Sequence, residues 1–166
     1  MVGVSEQKVE LPHPDLAEAD WADSYSVRLD RTDLDPMQVT TDLMGRAPKW
    51  ITALLGIRNR IVGFFGLKSA ELALTGQDRI GGFPVVQHDQ ERVVLGFNDK
   101  HLDFRIIVSI EQEGAEHQHV SLTTLVKRHN LFGRIYILVV TPFHKLIVKT
   151  FLKRFAASQG VSRRSV

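Results

Sequence analysis

The sequence predicts an α+β fold, a curved antiparallel sheet gripping one long C-terminal helix. Three observations carry this. Four segments with strand-like alternation, FPVVQH, ERVVLGFN, HLDFRIIVSIE and HVSLTTLVKRHN, follow one another after residue 82 with only short connections, and strands joined that way pair antiparallel. A long apolar stretch from Leu131 to about Ala157 then forms the one element large enough to cover the sheet's apolar face. A length of 166 residues without an internal repeat fits a single domain.

The elements follow in order. Residues 1–20 read as a loose arm. SYSVRL (Ser24–Leu29) alternates and gives a first strand. RTDLDP turns the chain, with Asp33 or Asp35 as a helix N-cap and Pro36 at the first helical position. A short helix runs to about Met44, where Gly45 and Pro48 break it. A second helix spans about Trp50 to Phe65 and stops at Gly66. A loop through Thr75–Asp78 leads into the four strands and the last helix. The expected order is β-α-α-β-β-β-β-α, with residues 21–158 as the domain and 159–166 as a disordered basic tail.

Composition narrows the function classes. Hydrophobic residues make up 43%, charged residues 24%, and the net charge is +2, which is ordinary for a folded domain. The pI near 9.0 reflects a C-terminal cluster, Lys149, Lys153, Arg154, Arg163 and Arg164. It reads as a solvated end, so no nucleic-acid partner is expected. With no cysteine, disulfides, thiolate metal sites and a cysteine nucleophile are excluded. The acidic first residues predict no signal peptide. Leu131–Leu152 reaches the length of a membrane span, but Arg134, His144, Lys145 and Lys149 interrupt it. It reads as a buried helix of a soluble, cytoplasmic protein, without an integral membrane segment. A phosphate-binding glycine loop, a G-x-S-x-G elbow and an H-E-x-x-H pair are all missing, and no cofactor or metal is expected.

Candidate site residues come from two patterns. In NDKHLDFR (Asn98–Arg105), His101, Asp103 and Arg105 share one parity, Leu102 and Phe104 the other. A turn at Asp99–Lys100 sets Phe97, Leu95 and Val93 opposite Leu102, Phe104 and Ile106 on the apolar face. It puts Asn98, Gly96 and Val94 beside His101, Asp103 and Arg105 on the other, with Gly96 leaving space over Asp103. On the next strand Lys127 falls across from Asp103 and His129 across from His101. The row reads as an outer-face charge ladder, a catalytic or ligand-contacting row, or a weak metal set of His101, Asp103 and His129.

The second pattern is polar residues on apolar faces. Arg58 lies within the apolar arc of the second helix, where a buried guanidinium needs an anion, from Asp103 or from a ligand, unless it snorkels to water. His144 lies among Ile137, Val140, Ile147, Val148 and Phe151 on the last helix. It is either a satisfied core histidine or an acid, base or donor in a pocket, with Tyr136 two turns earlier. Pro142 should free the carbonyl one turn before it, a further ligand contact if it faces a cavity. The apolar arc of this helix is broader than one sheet can cover, so the second helix, a ligand or a second subunit must meet the rest.

RAPKWITALLGIRNRIVGFFGLK, NDKHLDFR and KRHNLFGRIYILVVTPFHKLIVKTFLKR resemble the signature blocks of the bacterial domain-of-unknown-function family twenty-eight sixty-seven, over about Asp20 to Arg154. That family is similar to the START-like, birch-allergen-like helix-grip superfamily. The resemblance implies the same fold and a cavity between sheet and helix. Relatives there bind lipids, sterols, polyketides or plant hormones, and some are cyclases or dehydratases. Trp50, Arg58, His101, Asp103, Arg105, His129, Asn130, Tyr136 and His144 fall in the matching blocks.

The resulting expectation is a binder of a hydrophobic or amphipathic small molecule bearing an acidic group, with Arg58, Trp50, Arg105, Tyr136 and His129 as contacts. The alternative is an enzyme on the same scaffold, a cyclase, dehydratase or hydrolase using His144, or His101 with Asp103, as acid and base. A third reading is a partner-binding module, a homodimer through the last helix or the sheet edge.

Overall fold

The computed structural model describes residues 3–45 and 79–162, together with Lys49, Ala53, Arg60 and Gly63, which are helical. The elements are β1 (Val4–Gln7), β2 (Trp21–Leu29), α1 (Pro36–Gly45), β3 (Arg79–Ile80), β4 (Phe83–His88), β5 (Arg92–Asn98), β6 (Leu102–Glu113), β7 (His117–Arg128) and α2 (Leu131–Ser162). All seven strands form one antiparallel sheet in the order β1-β2-β7-β6-β5-β4-β3. The fold is the expected α+β helix grip, with α2 laid across one face. Asp35 is the N-cap of α1, its Oδ1 accepting the amide of Gln38 at 2.8 Å, and Pro36 supplies the first helical residue.

The core follows from strand parity. Tyr25, Val27 and Leu29 on β2, Val93 and Leu95 on β5, Val108 and Ile110 on β6, and Val120 and Leu122 on β7 point to the α2 side. Val148, Leu152, Phe155 and Ala156 of α2 and Val39 and Leu43 of α1 close over them. These large side chains each contribute roughly 1.5–3 kcal/mol by leaving water, which is what fixes α2 on this face.

Several expectations need correction. Residues 4–20 are not a loose arm. Val4–Gln7 add an edge strand to β2, Val4 opposite Val27 through Gln7 opposite Ser24. The following residues cross the outer face, where Val9, Leu16 and Ala19 pack on Val94, Ile107 and Leu125. Asp15, its side chain 6% exposed, pairs with Arg92 at 2.5 Å. Three buried apolar residues on the outer face need a cover, and the arm is that cover. At the other end the helix runs on to Ser162, so residues 159–162 belong to α2 rather than to a disordered tail.

The β5–β6 reversal falls one residue later than expected, at Lys100–His101, pairing Asn98 with Asp103, Gly96 with Arg105 and Val94 with Ile107. The register moves by two residues, so every side chain keeps its predicted face. A tertiary contact decides it: the carbonyl of His101 accepts the amide of His129 at 2.9 Å, and α2 begins against the same carbonyl. The register with β7 is the expected one, Asp103 opposite Lys127.

Finally, α2 is not a buried helix. Its apolar 18-residue window is only 11% buried, because one sheet touches one stripe of a cylinder and leaves the rest outside.

Candidate functional site

Polar side chains gather on the apolar side of the sheet where β2, β7 and the middle of α2 meet. Trp21, Asp23 and Tyr25 alternate along the inner face of β2, and on β7 Val126, Thr124 and Leu122 stand opposite them. Asp23, Tyr25 and Thr124 are all buried. From α2, His144 reaches down between them. Its Nε2 lies 3.0 Å from Asp23 Oδ1, with the carboxylate 5% and the imidazole 21% exposed. Trp21 sets its ring edge-on to the imidazole, centroids 5.7 Å apart at 73°. His144 is therefore a partly buried histidine satisfied by a side chain, an arrangement common to a structural histidine and to an acid or base. It is oriented by a buried carboxylate.

Two oxygens of this cluster, Asp23 Oδ2 and Thr124 Oγ1, are buried with no hydrogen-bond partner among the described residues, while the buried Tyr25 hydroxyl meets Lys145. Such a group costs about 1–3 kcal/mol, and more when charged. Burial, and after it the Asp23 carboxylate, pushes the Tyr25 phenol above its ordinary value, with Lys145 opposing. Lys149 holds its ammonium 5.1 Å from the centre of the Tyr25 ring. Lys145 is itself held above the usual lysine range, chiefly by Tyr25 and then by Glu6, whose carboxylate is 3.7 Å away. The cluster presents an acceptor at Asp23 and hydroxyls able to donate or accept at Tyr25 and Thr124.

His101, Asp103, Arg105 and His129 lie elsewhere, each held by contacts within the scaffold. His101 is in the β5–β6 turn, where its Nδ1 accepts from Asn130 Nδ2 at 2.9 Å. Asn130 in turn caps α2, its Oδ1 accepting the amide of Gly133 at 3.0 Å. A Cβ on Gly133 would come within 2.2 Å of the His101 carbonyl oxygen, so only glycine lets α2 start so close to the turn. Asp103 pairs with His129 at 3.0 Å on the outer face. Arg105 donates to Asn98 Oδ1 at 2.8 Å and to the carbonyls of Phe104 and Phe97. The space at Gly96 belongs to Arg105 rather than Asp103: a Cβ there would meet the Phe104 carbonyl oxygen at 2.2 Å and Arg105 Cδ at 2.9 Å. The row in NDKHLDFR is thus divided among a helix cap, an ion pair and a turn. Among the described residues no cluster of His, Asp and Glu has the arrangement of a metal site.

Tyr136, half-buried, stands two turns before His144, about 12 Å along the helix axis. Pro142 and Leu138, whose carbonyl it frees, are exposed, so that carbonyl does not belong to an interior wall. Arg58 and Trp50 lie outside the described residues. A polar cleft of about 720 Å³, lined by Asp30, Arg31, Asp33, Glu116, His117 and Gln159 among others, opens at the far end of α2. Gln159 is fifteen residues, about 22 Å of helix, from His144.

Sequence reasoning misses Trp21 and Asp23 because it begins the first strand at Ser24, and it passes over Thr124 because a threonine on the apolar row of β7 looks like an ordinary strand residue. The signal is in WADSYSVRL: Asp23 has the parity of Tyr25, Val27 and Leu29, an acid on a core-facing row.

The family model described as "Protein of unknown function (DUF2867)" matches residues 16–151. The chain belongs to this family. The match takes in all five residues of the cluster, Trp21, Asp23, Tyr25, Thr124 and His144. Among solved structures, the crystal structure of CalU16 from Micromonospora echinospora is similar at 13% identity and a TM-score of 0.34, over 98% of this chain and 94% of that one. No curated protein matches the chain.

Proposed function

We propose that this DUF2867 member binds an amphipathic small molecule between the sheet and α2, its polar end at Asp23, Tyr25, Thr124 and His144. The observation that carries this reading is the pair of buried oxygens, Asp23 Oδ2 and Thr124 Oγ1, without partners among the described residues around an oriented histidine. A core that needed only packing would place apolar residues there at no such cost. An acceptor-only carboxylate oxygen beside two hydroxyls suits a ligand end bearing a hydroxyl or amine that donates to Asp23. The acidic ligand group expected at Arg58 belongs to a position outside the described residues. Trp21 and the aliphatic lining of β7 supply the apolar contact.

Native mass spectrometry of the purified protein, followed by solvent extraction, tests the reading. The wild type should carry a non-covalent lipophile that the folded Asp23→Asn and Thr124→Val variants lose. A wild type without added mass from several growth media would sink it.

The Asp23–His144 pair favours a second reading. An imidazole oriented by a buried carboxylate is equipped to move a proton in a cyclisation, dehydration or hydrolysis of the bound molecule. With the extracted lipophile as substrate, His144→Gln should abolish turnover while retaining binding. Unchanged recovery of the lipophile from the wild type leaves binding as the function.

A further inference from the structure

The first half of α2 carries a feature that the ligand site does not use. Leu131, Ile135, Leu138, Val139, Phe143 and Leu146 are between 49% and 76% exposed. Their spacing, i, i+4, i+7, i+8, i+12 and i+15, places them on one side of the helix, opposite Ile137 and Val148, which are buried. The stripe runs about 22 Å. Isolated exposed leucines are ordinary, but a continuous stripe of this length marks a surface that meets something apolar.

Charge says what that is. From Leu131 to Ser162 the helix carries Arg134, Lys145, Lys149, Lys153 and Arg154 and no Asp or Glu. On the helical wheel Arg134 and Lys145 flank one edge of the stripe, while Lys153 and Arg154 are exposed beyond its C-terminal end. A two-fold pairing of two such helices would set this basic rim against itself with no acid on either helix to answer it, which disfavours a second copy. The helix is long and apolar enough to cross a membrane by length and composition. Yet its opposite side is fixed to the sheet by Val148, Leu152, Phe155 and Ala156, and five cations lie along it. Lying in a surface fits this arrangement and spanning does not.

We infer that the exposed stripe of α2 docks the protein on an anionic lipid surface, apolar side chains in the headgroup boundary and the basic rim against lipid charge. The stripe has no polar side chain at its centre to set a protein partner's register, whereas a lipid surface requires none. Because the stripe itself uses none of the ligand-site residues, and of its rim only Lys145 touches one, Tyr25, this surface stands or falls apart from the binding reading.

Vesicle co-sedimentation tests it, with phosphatidylcholine alone and mixed with phosphatidylglycerol. The protein should sediment with the anionic vesicles, much less with neutral ones, and be released by salt. Leu138→Ser with Phe143→Ser should abolish binding without lowering the melting temperature, since both residues are exposed. Arg134→Glu with Lys153→Glu, both exposed, should weaken it by more than about twentyfold, roughly fivefold for each cation removed and more for the reversal of sign. Failure to bind anionic vesicles overturns the inference. So does a concentration-dependent dimer, seen by sedimentation equilibrium without lipid, that the Leu138 and Phe143 substitutions dissolve.

Discussion

Asp23 is the side chain at the centre of the proposed site: a carboxylate 5% exposed has one oxygen answered by His144 and the other bare among the described residues. The hydroxyl of Thr124 shares its condition, and this gives a prediction at the level of single atoms. Removing an unpaired buried hydroxyl removes its desolvation cost, so Thr124→Val should raise the stability of the ligand-free protein by about 1 kcal/mol, read from urea unfolding at neutral pH, whereas Tyr25→Phe, which also gives up the Lys145 contact, should gain less. The same substitutions should weaken retention of the lipophile, a gain in stability at the expense of function. Stabilisation without loss of the lipophile would remove those hydroxyls from the site. Tyr25 also has a pH signature. Burial first, and Asp23 second, hold its phenol above the ordinary 10.0 in the folded protein. The unfolded chain therefore ionises first, and stability falls as pH rises above about 10. Lys145, also raised, acts in the same direction. Tyr25→Phe should flatten this alkaline loss, which melting curves between neutral pH and the alkaline range would display.

At the scale of elements, the junction between β6, β7 and α2 depends on a few exact fits. Asn130 caps α2 and binds His101, and Gly133 allows the first turn of the helix to lie against the His101 carbonyl. Asn130→Ala should cost about 1 kcal/mol as a lost cap. Gly133→Ala should cost about 1–3 kcal/mol, because a methyl group cannot occupy the place of a carbonyl oxygen without moving the turn. Chemical denaturation measures both, and a neutral Gly133→Ala would show that the turn yields. The sequence made much of these elements legible. Asp35–Pro36 marks the start of α1, and alternation in LDFRIIVSIE assigns the faces of β6. The role of His101 was not legible, since its partner Asn130 is twenty-nine residues away and a charged row on one parity looks alike whether it binds a ligand, caps a helix or pairs across a strand. Asp23 was half legible: its parity is visible, but the strand had to be extended by three residues to reveal it.

For the whole molecule, the sheet has two covered faces of unequal depth. α2 and α1 bury one, and residues 8–20 strap the other, anchored by Asp15 on Arg92. Arg92→Ala should leave the buried Asp15 carboxylate without its strongest partner and cost about 2–3 kcal/mol. Deleting residues 1–19 should cost more by baring Val94, Ile107 and Leu125, seen as a lower melting temperature and increased dye binding to exposed apolar surface. If the truncated protein melts as the full chain does, the strap is not structural. The sequence by itself determined the class of fold, the antiparallel meander, the face of nearly every strand residue and the breadth of the apolar arc on α2. Those are periodic properties, written in neighbouring residues at spacings of two and three or four. Only the tertiary structure decided that the N-terminal residues strap the sheet, that His101, Asp103 and Arg105 each serve a separate scaffold contact, and that His144 meets Asp23. Those depend on which distant segments are brought together, His144 and Asp23 being 121 residues apart. Packing of the whole core selects such pairings, and no local period encodes them.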